Sequence, residues 1–278
     1  MKIAAAQISS VLGNLEKNIE HHLKYCDEAI KNKTDMIVFP ELSLTGYSLK
    51  DINFTIAVNI AKTKLLDKLK EKSKKISIIC GLAEEDENFA IYNSGILISD
   101  GEIKFSHRKI YPPTYGLFEE FRYFSRGNEC RAHDTKFGKI GLLVCEDLWH
   151  LSLPYTVAMD GAQIITGIAS SPARLSVNTD KFKNYEINSE HHRTYARILS
   201  TYFVFTNRVG FEDGINFWGG SEIVDPFGNV LSAAKLFDED MIYADINFEE
   251  VSRARHQARH FLDEDIDLTV KNLLKIRK

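Results

Sequence analysis

The stretch Lys139-Ile-Gly-Leu-Leu-Val-Cys-Glu-Asp-Leu-Trp149 joins a short apolar run to a cysteine and two carboxylates. Ile140 to Val144, opened by Phe137-Gly138 and closed by charge, read as a strand covered on both faces. Cys145 falls where that strand gives way to a turn, on the rim where parallel α/β sheets place their chemistry. It is therefore a candidate nucleophile, although free cysteine more often serves as a small buried hydrophobe. A nucleophilic thiol also needs a base and a positive charge, which must come from elsewhere in the chain.

Working outward, Met36-Ile-Val-Phe39 is predicted to be a second strand, stopped by Pro40, and Glu41 follows at its carboxyl end. Phe39, Leu42, Leu44 and Tyr47 make this too apolar for a solvated loop, so Glu41 is expected to be desolvated, as suits a general base. Lys109 opens the segment His107 to Phe124, whose prolines, glycine and aromatics argue against regular structure. So much apolar surface in a loop implies that it lines something. An ammonium there could also face the oxygen of a tetrahedral intermediate, beside the backbone N–H that follows Cys145.

The remaining pattern is that of an α/β protein. Strands are predicted at Ile3 to Ile8, Ile76 to Leu82, Gln163 to Ala169, Tyr202 to Asn207 and Met241 to Ile246. Hairpins are expected around Ser99-Asp100-Gly101 and across Asp225-Pro-Phe-Gly228. Helices are predicted at about Leu15 to Lys31, Ile56 to Lys74, from a Ser152 cap to Gly161, and at Asn188 to Leu199. A charged helix and tail follow from Phe248. No domain boundary is visible, so residues 1–278 are expected to form one domain, a sheet assembly sandwiched by helices.

Composition narrows the function. The formal net charge of −4 comes from well-mixed acidic and basic residues, which favours neither nucleic acid nor a membrane surface. The four cysteines are far apart and form no C-x-x-C pair, so neither a zinc site nor a disulfide framework is indicated. With no apolar export segment, a reducing cytoplasm fits best. His256 and His260 have helical metal-ligand spacing but lack an intervening glutamate and lie among arginines, so no metal and no organic cofactor is expected.

Phe39-Pro-Glu-Leu-Ser-Leu-Thr-Gly-Tyr47, His107-Arg-Lys-Ile-Tyr111 and Gly141-Leu-Leu-Val-Cys-Glu-Asp-Leu-Trp149 resemble the three motifs of the nitrilase, or carbon-nitrogen hydrolase, superfamily, in order and spacing. The resemblance covers nearly the whole chain. It implies a single α-β-β-α sandwich, a Glu-Lys-Cys triad at Glu41, Lys109 and Cys145, and amide hydrolysis through a thioester. Glu120 matches the additional glutamate that many members place beside the triad.

Cys-Glu-Asp-Leu-Trp and Tyr-Gly-Leu-Phe-Glu-Glu look most like the glutaminase domain of glutamine-dependent NAD synthetase, although no Gly-rich ATP loop is present. On that likeness Tyr47, Tyr115, Glu146, Trp149, Ser171 and Arg174 are expected to contact substrate. Arg174 is the basic residue nearest Ser171-Pro172, whereas such glutaminases place an arginine slightly later, where this chain has Leu175-Ser-Val-Asn178. The expected activity is hydrolysis of a small amide, glutamine-like or aliphatic. The alternative is a non-catalytic or partner-dependent subunit of a synthetase complex that retains the fold. The resemblance also implies a homodimer or higher homo-oligomer, with the helices at Ser152 to Asp160 and around Tyr195 as interface candidates.

Overall fold

The computed structural model describes residues 1–173 and 183–277. The first half alternates β1 (Lys2–Gln7), α1 (Leu15–Lys31), β2 (Met36–Val38), α2 (Asn53–Ile56), α3 (Asp67–Ser73), β3 (Ser77–Glu85), β4 (Ile91–Ser99) and β5 (Glu102–Arg108). A four-residue helix, α4 (Glu120–Tyr123), interrupts the loop that follows. The second half contains β6 (Ala132–Thr135), β7 (Gly138–Val144), α5 (Ser152–Met159), β8 (Ile164–Ala169), α6 (Lys183–Ile198) and β9 (Tyr202–Asn207). Then come a hairpin of β10 (Val209–Glu212) and β11 (Ile215–Trp218), β12 (Glu222–Val224), β13 (Val230–Ala233), β14 (Asp240–Asp245), α7 (Phe248–Gln257) and α8 (Ile266–Ile276).

Two six-stranded sheets result, ordered β14-β1-β2-β3-β4-β5 and β13-β12-β9-β8-β7-β6. Each has three parallel strands at its centre, β1-β2-β3 and β7-β8-β9, flanked by antiparallel neighbours. Side-chain alternation along these strands builds the layers. Ile3, Ala5, Val38 and Leu97 face Ile140, Leu142, Val144 and Val204 between the sheets. Ala4, Ile37, Ile78 and Cys80 point outward against Ile19, Cys26 and Ala29 of α1 and Leu69 of α3. Leu143, Ile165 and Phe203 cover Leu153 and Val157 of α5 and Ala196 of α6. This is the expected α-β-β-α sandwich. Burying each such Val, Leu or Ile contributes roughly 1.5–3 kcal/mol, which is why continuous apolar runs were readable as strands.

Several elements depart from expectation. The helix expected over Ile56 to Lys74 is broken: Val58 bridges to Glu84, and the Asn59 side chain accepts from the N–H groups of Ala61 and Lys62. Local side-chain bonds of this kind compete with helical ones. Ser152 does not cap α5, since its predecessor Leu151 is already helical and no side-chain cap bond forms. α6 already includes Lys183, ahead of the expected start at Asn188. The hairpin of β10 and β11 turns at Asp213-Gly214, a favoured turn pair passed over in the sequence.

Candidate active site

Glu41 and Cys145 sit on two sheets whose strand ends converge. After β2, Leu42 adopts a left-handed φ of 48° and the Glu41-Leu42 backbone presses against β3. Only glycine fits there, because a Cβ at Gly81 would lie 2.3 Å from Leu42 N. After β7, Cys145 also has a φ of 48° and starts a short 3-10 turn to Trp149. A left-handed non-glycine residue is unfavourable and persists where the surroundings hold it. Here the turn places Cys145, a half-buried residue, in the lining of a cavity of about 270 Å³.

Beside it lies a buried ionic cluster. Lys109 Nζ donates to Glu41 Oε1 and to both oxygens of Glu120, each at 2.8 Å. Lys109 and Glu41 are fully buried and Glu120 nearly so. Glu41 Oε1 also accepts from Asn93 Nδ2 at 2.7 Å, and Oε2 from the Ser170 N–H at 2.6 Å. Tyr47 OH donates to Glu120 Oε1 at 2.7 Å. Three donors on one ammonium are thus spent on two carboxylates, which offsets the desolvation that would otherwise forbid burying them.

The charges follow from these contacts. Burial alone would depress Lys109, but the Glu120 and Glu41 carboxylates outweigh it and hold the group well above the ordinary lysine value, as an ammonium. Burial raises Glu120, with Lys109 opposing and Glu41 adding to the rise. The Cys145 thiol is pushed well up by burial and then by Glu41, against the pull of Lys109. Lys109 therefore does not produce a resting thiolate, contrary to the simplest reading of a cation near a cysteine. Burial and Glu41 thus favour the protonated thiol, which must lose its proton as it reacts.

A third buried carboxylate, missed in the sequence, locks the two sheets together at this rim. Asp147 Oδ1 accepts from the N–H groups of Ile110 and Tyr111, directly after Lys109, both at 3.0 Å. Its Oδ2 accepts from Val144 N–H at 3.3 Å and lies 2.9 Å from His107 Nε2. Ser170 was missed as a partner of Glu41, and Asn207 Oδ1 accepts from Ser171 N–H at 2.8 Å. Their sequence signal was position alone: Ser170 and Asn207 sit where β8 and β9 end on the same rim as Cys145.

Of the residues expected to touch substrate, Tyr115, Glu146, Trp149 and Ser171 line the cavity above Cys145. Tyr115 OH donates to the Glu146 carboxylate at 2.9–3.0 Å. Burial raises Glu146 above the usual carboxylate range, with the Tyr115 bond opposing. Tyr47 is not among those lining residues: it bonds to Glu120 of the ionic cluster and lines, with it, a separate cavity of about 210 Å³. Glu212 Oε1 fixes the Tyr47 and Ser48 N–H groups, and Arg208 pairs with Glu212. Tyr111 stacks on His150, outside the cavity lining. Arg174 lies outside the described residues. Asn184, Ile187 and Asn188 of α6 also line the cavity and were not singled out in the sequence.

Comparisons with known proteins agree with this architecture. A glutamine-dependent NAD(+) synthetase of Acinetobacter baylyi is 30% identical over 254 residues, 90% of this chain and 44% of that protein. The chain thus spans less than half the length of that relative. A probable nitrilase of Schizosaccharomyces pombe is 26% identical over 284 residues, 98% of each chain. The solved carbon-nitrogen hydrolase of Helicobacter pylori G27 superposes with a TM-score of 0.86 at 26% identity, again over 98% of each chain. The family model described as carbon-nitrogen hydrolase matches residues 2–256, and with the sandwich and the three motifs in register the chain belongs to the carbon-nitrogen hydrolase family, enzymes acting on C–N bonds.

Proposed function

We propose that this chain hydrolyses a small amide, glutamine-like or aliphatic, to the acid and ammonia through a thioester on Cys145. The observation that carries the reading is the buried Lys109 ammonium held between Glu41 and Glu120 within electrostatic reach of the Cys145 thiol. Glu41 takes the thiol proton as Sγ bonds to the amide carbon. Lys109 Nζ and the Glu146 backbone N–H face the oxyanion. Because all three Nζ donors are bound to carboxylates at rest, Lys109 gives up one Glu120 contact to do so. Collapse of the intermediate returns the proton to the leaving nitrogen and ammonia departs; Glu41 then deprotonates the water that attacks the thioester, and as the C–S bond breaks it hands that proton to Cys145 Sγ and the acid leaves.

The cavity favours small substrates, and Glu146, clamped by Tyr115, is suited to an amino end. Glutamine is the leading candidate because relatives named for glutamine dependence align over 90% of this chain. A role as the ammonia-supplying partner of a separate synthetase rests on the same alignment. Ammonia release across glutamine, aliphatic amides and nitriles tests the reading. Hydrolysis of aliphatic amides without glutamine would discard the glutaminase branch alone, and release from none of them would discard the whole.

Assembly as a homodimer through α5 and α6 fits the exposed Leu151 and Ile198 beside those helices. Sedimentation of a monomer at micromolar concentration would count against it.

A further inference from the structure

Asn93, in β4 and almost wholly buried, touches all three members of the ionic cluster. Its backbone carbonyl accepts from Lys109 N–H at 2.8 Å. Its side-chain Nδ2 donates to Glu41 Oε1 at 2.7 Å and to Glu120 Oε2 at 3.3 Å. The partners fix the amide's orientation, because Nδ2 meets two carboxylate oxygens where the amide oxygen would face lone pairs instead. Its Oδ1 is buried and meets no hydrogen-bond partner among the described residues. A residue present only for packing would bury an apolar side chain here rather than an amide with an unpaired acceptor.

We propose that Asn93 is a positioning residue of this site: it holds Glu41 and Glu120 at a fixed spacing about Lys109, so that Glu41 stays aimed at the thiol when Lys109 turns a proton towards the substrate oxygen. The inference rests on the roles proposed above for Glu41, Lys109 and Cys145. A neutral amide suits the task. It donates to both carboxylates without cancelling their charge, and its donor does not leave during the reaction. The same residue sets the height of the Lys109 backbone, so the ammonium and both carboxylates are referenced to one point on β4.

The test is the rate of Cys145 alkylation by iodoacetamide as a function of pH, read by intact mass, which requires no knowledge of the natural substrate. Asn93→Ala should slow alkylation about 10- to 100-fold, the loss expected for a hydrogen bond to a charged group. It should also move the acidic limb of the profile to higher pH, because a carboxylate that loses a donor holds its proton more tightly. Asn93→Asp keeps the shape but replaces the donor with a third negative charge, and should move the limb further. Ser94→Ala, which removes from the same strand a buried hydroxyl that meets no partner among the described residues, should leave the profile unchanged. A lower melting temperature in Asn93→Ala with the wild-type pH profile would overturn the proposal. So would failure of both Asn93 variants to fold, since Asn93 would then serve the fold. If wild-type Cys145 reacts no faster than Cys130, the proposed thiol activation falls, and this inference with it.

Discussion

Each sheet is built on three central parallel strands, yet the first delivers charge to the site and the second delivers a strained turn. β2, β4 and the segment after β5 supply Glu41, Asn93 and Lys109, which bond to one another and to Glu120 in a buried cluster. β7 supplies Cys145, held by its backbone conformation and by the Asp147 bonds beneath it. The difference teaches that chemistry and stability are coupled on the first sheet and separable on the second. An ion removed from the cluster leaves buried charge without a partner, whereas the Cys145 thiol, which lines the cavity, makes no side-chain hydrogen bond among the described residues that its removal would break.

The largest effect expected is from the pair Cys145→Ala and Lys109→Met. Both should abolish or nearly abolish turnover, the lysine variant by at least the 10²–10³ typical of a lost oxyanion donor. Only Lys109→Met should also lower stability, by about 3–5 kcal/mol, because two carboxylates lose their buried counterion. Denaturant melts of the two proteins therefore test the comparison directly, and equal stabilities would break it.

Asp147→Asn sharpens the comparison by loosening the joint between the sheets. A small displacement at a catalytic centre can cost about 100-fold, so kcat should fall to roughly that extent. Parallel reductions in alkylation of Cys145 would place the fault at the thiol, and unchanged kcat would show that the joint is dispensable.

Glu120→Gln should reduce turnover by about tenfold or more, the cost of weakening a charged hydrogen bond, with a smaller effect on melting temperature. The basis is that Glu120 holds two of the three Lys109 donors. A pH–rate profile identical to that of the wild type would remove Glu120 from the mechanism.

The smallest effect belongs to the outer layer of the first sheet. His22 in α1 is fully buried, hydrogen-bonded to Asn18 O and Ser43 Oγ, and burial lowers its pKa from 6.5 to about 3. Between those values the unfolded chain binds a proton that the folded chain does not, so stability rises with pH across that window and falls on acidification. The slope from this group is at most about 1.4 kcal/mol per pH unit. His22→Gln should flatten the acid side of the stability curve, and a curve of unchanged slope would refute the assignment.

Much of this was legible in the sequence where apolar runs stop abruptly. Met36 to Val38 and Gly138 to Val144 end at Pro40-Glu41 and Cys145, and those boundaries placed the two sheets' contributions on one rim. The Leu15–Lys31 helix was equally plain from its apolar stripe and the Gly13-Asn14 turn before it. Asn93, Asp147 and Ser170 were not legible. Each acts through partners distant in the chain, 52 residues from Asn93 to Glu41 and 129 from Ser170 to Glu41, and none disturbs the local pattern. An asparagine in an alternating strand reads as an outward polar residue until the opposing carboxylate is seen. The direction of the Cys145 shift was illegible for the same reason: it depends first on how far the fold buries the thiol and then on the carboxylates that surround it besides the single lysine.

The Asp147 carboxylate also has a kinetic meaning for the unliganded protein. Loop amides usually exchange with solvent deuterium on their own, through local openings that cost little. The Ile110 and Tyr111 amides are instead bonded to a carboxylate rooted in the other sheet, just past the carboxyl end of β7. Opening that loop means separating the sheets at their rim, so these two amides should exchange as slowly as the Val144 amide and at the same denaturant midpoint, making a stretch without regular secondary structure part of the last unit to open.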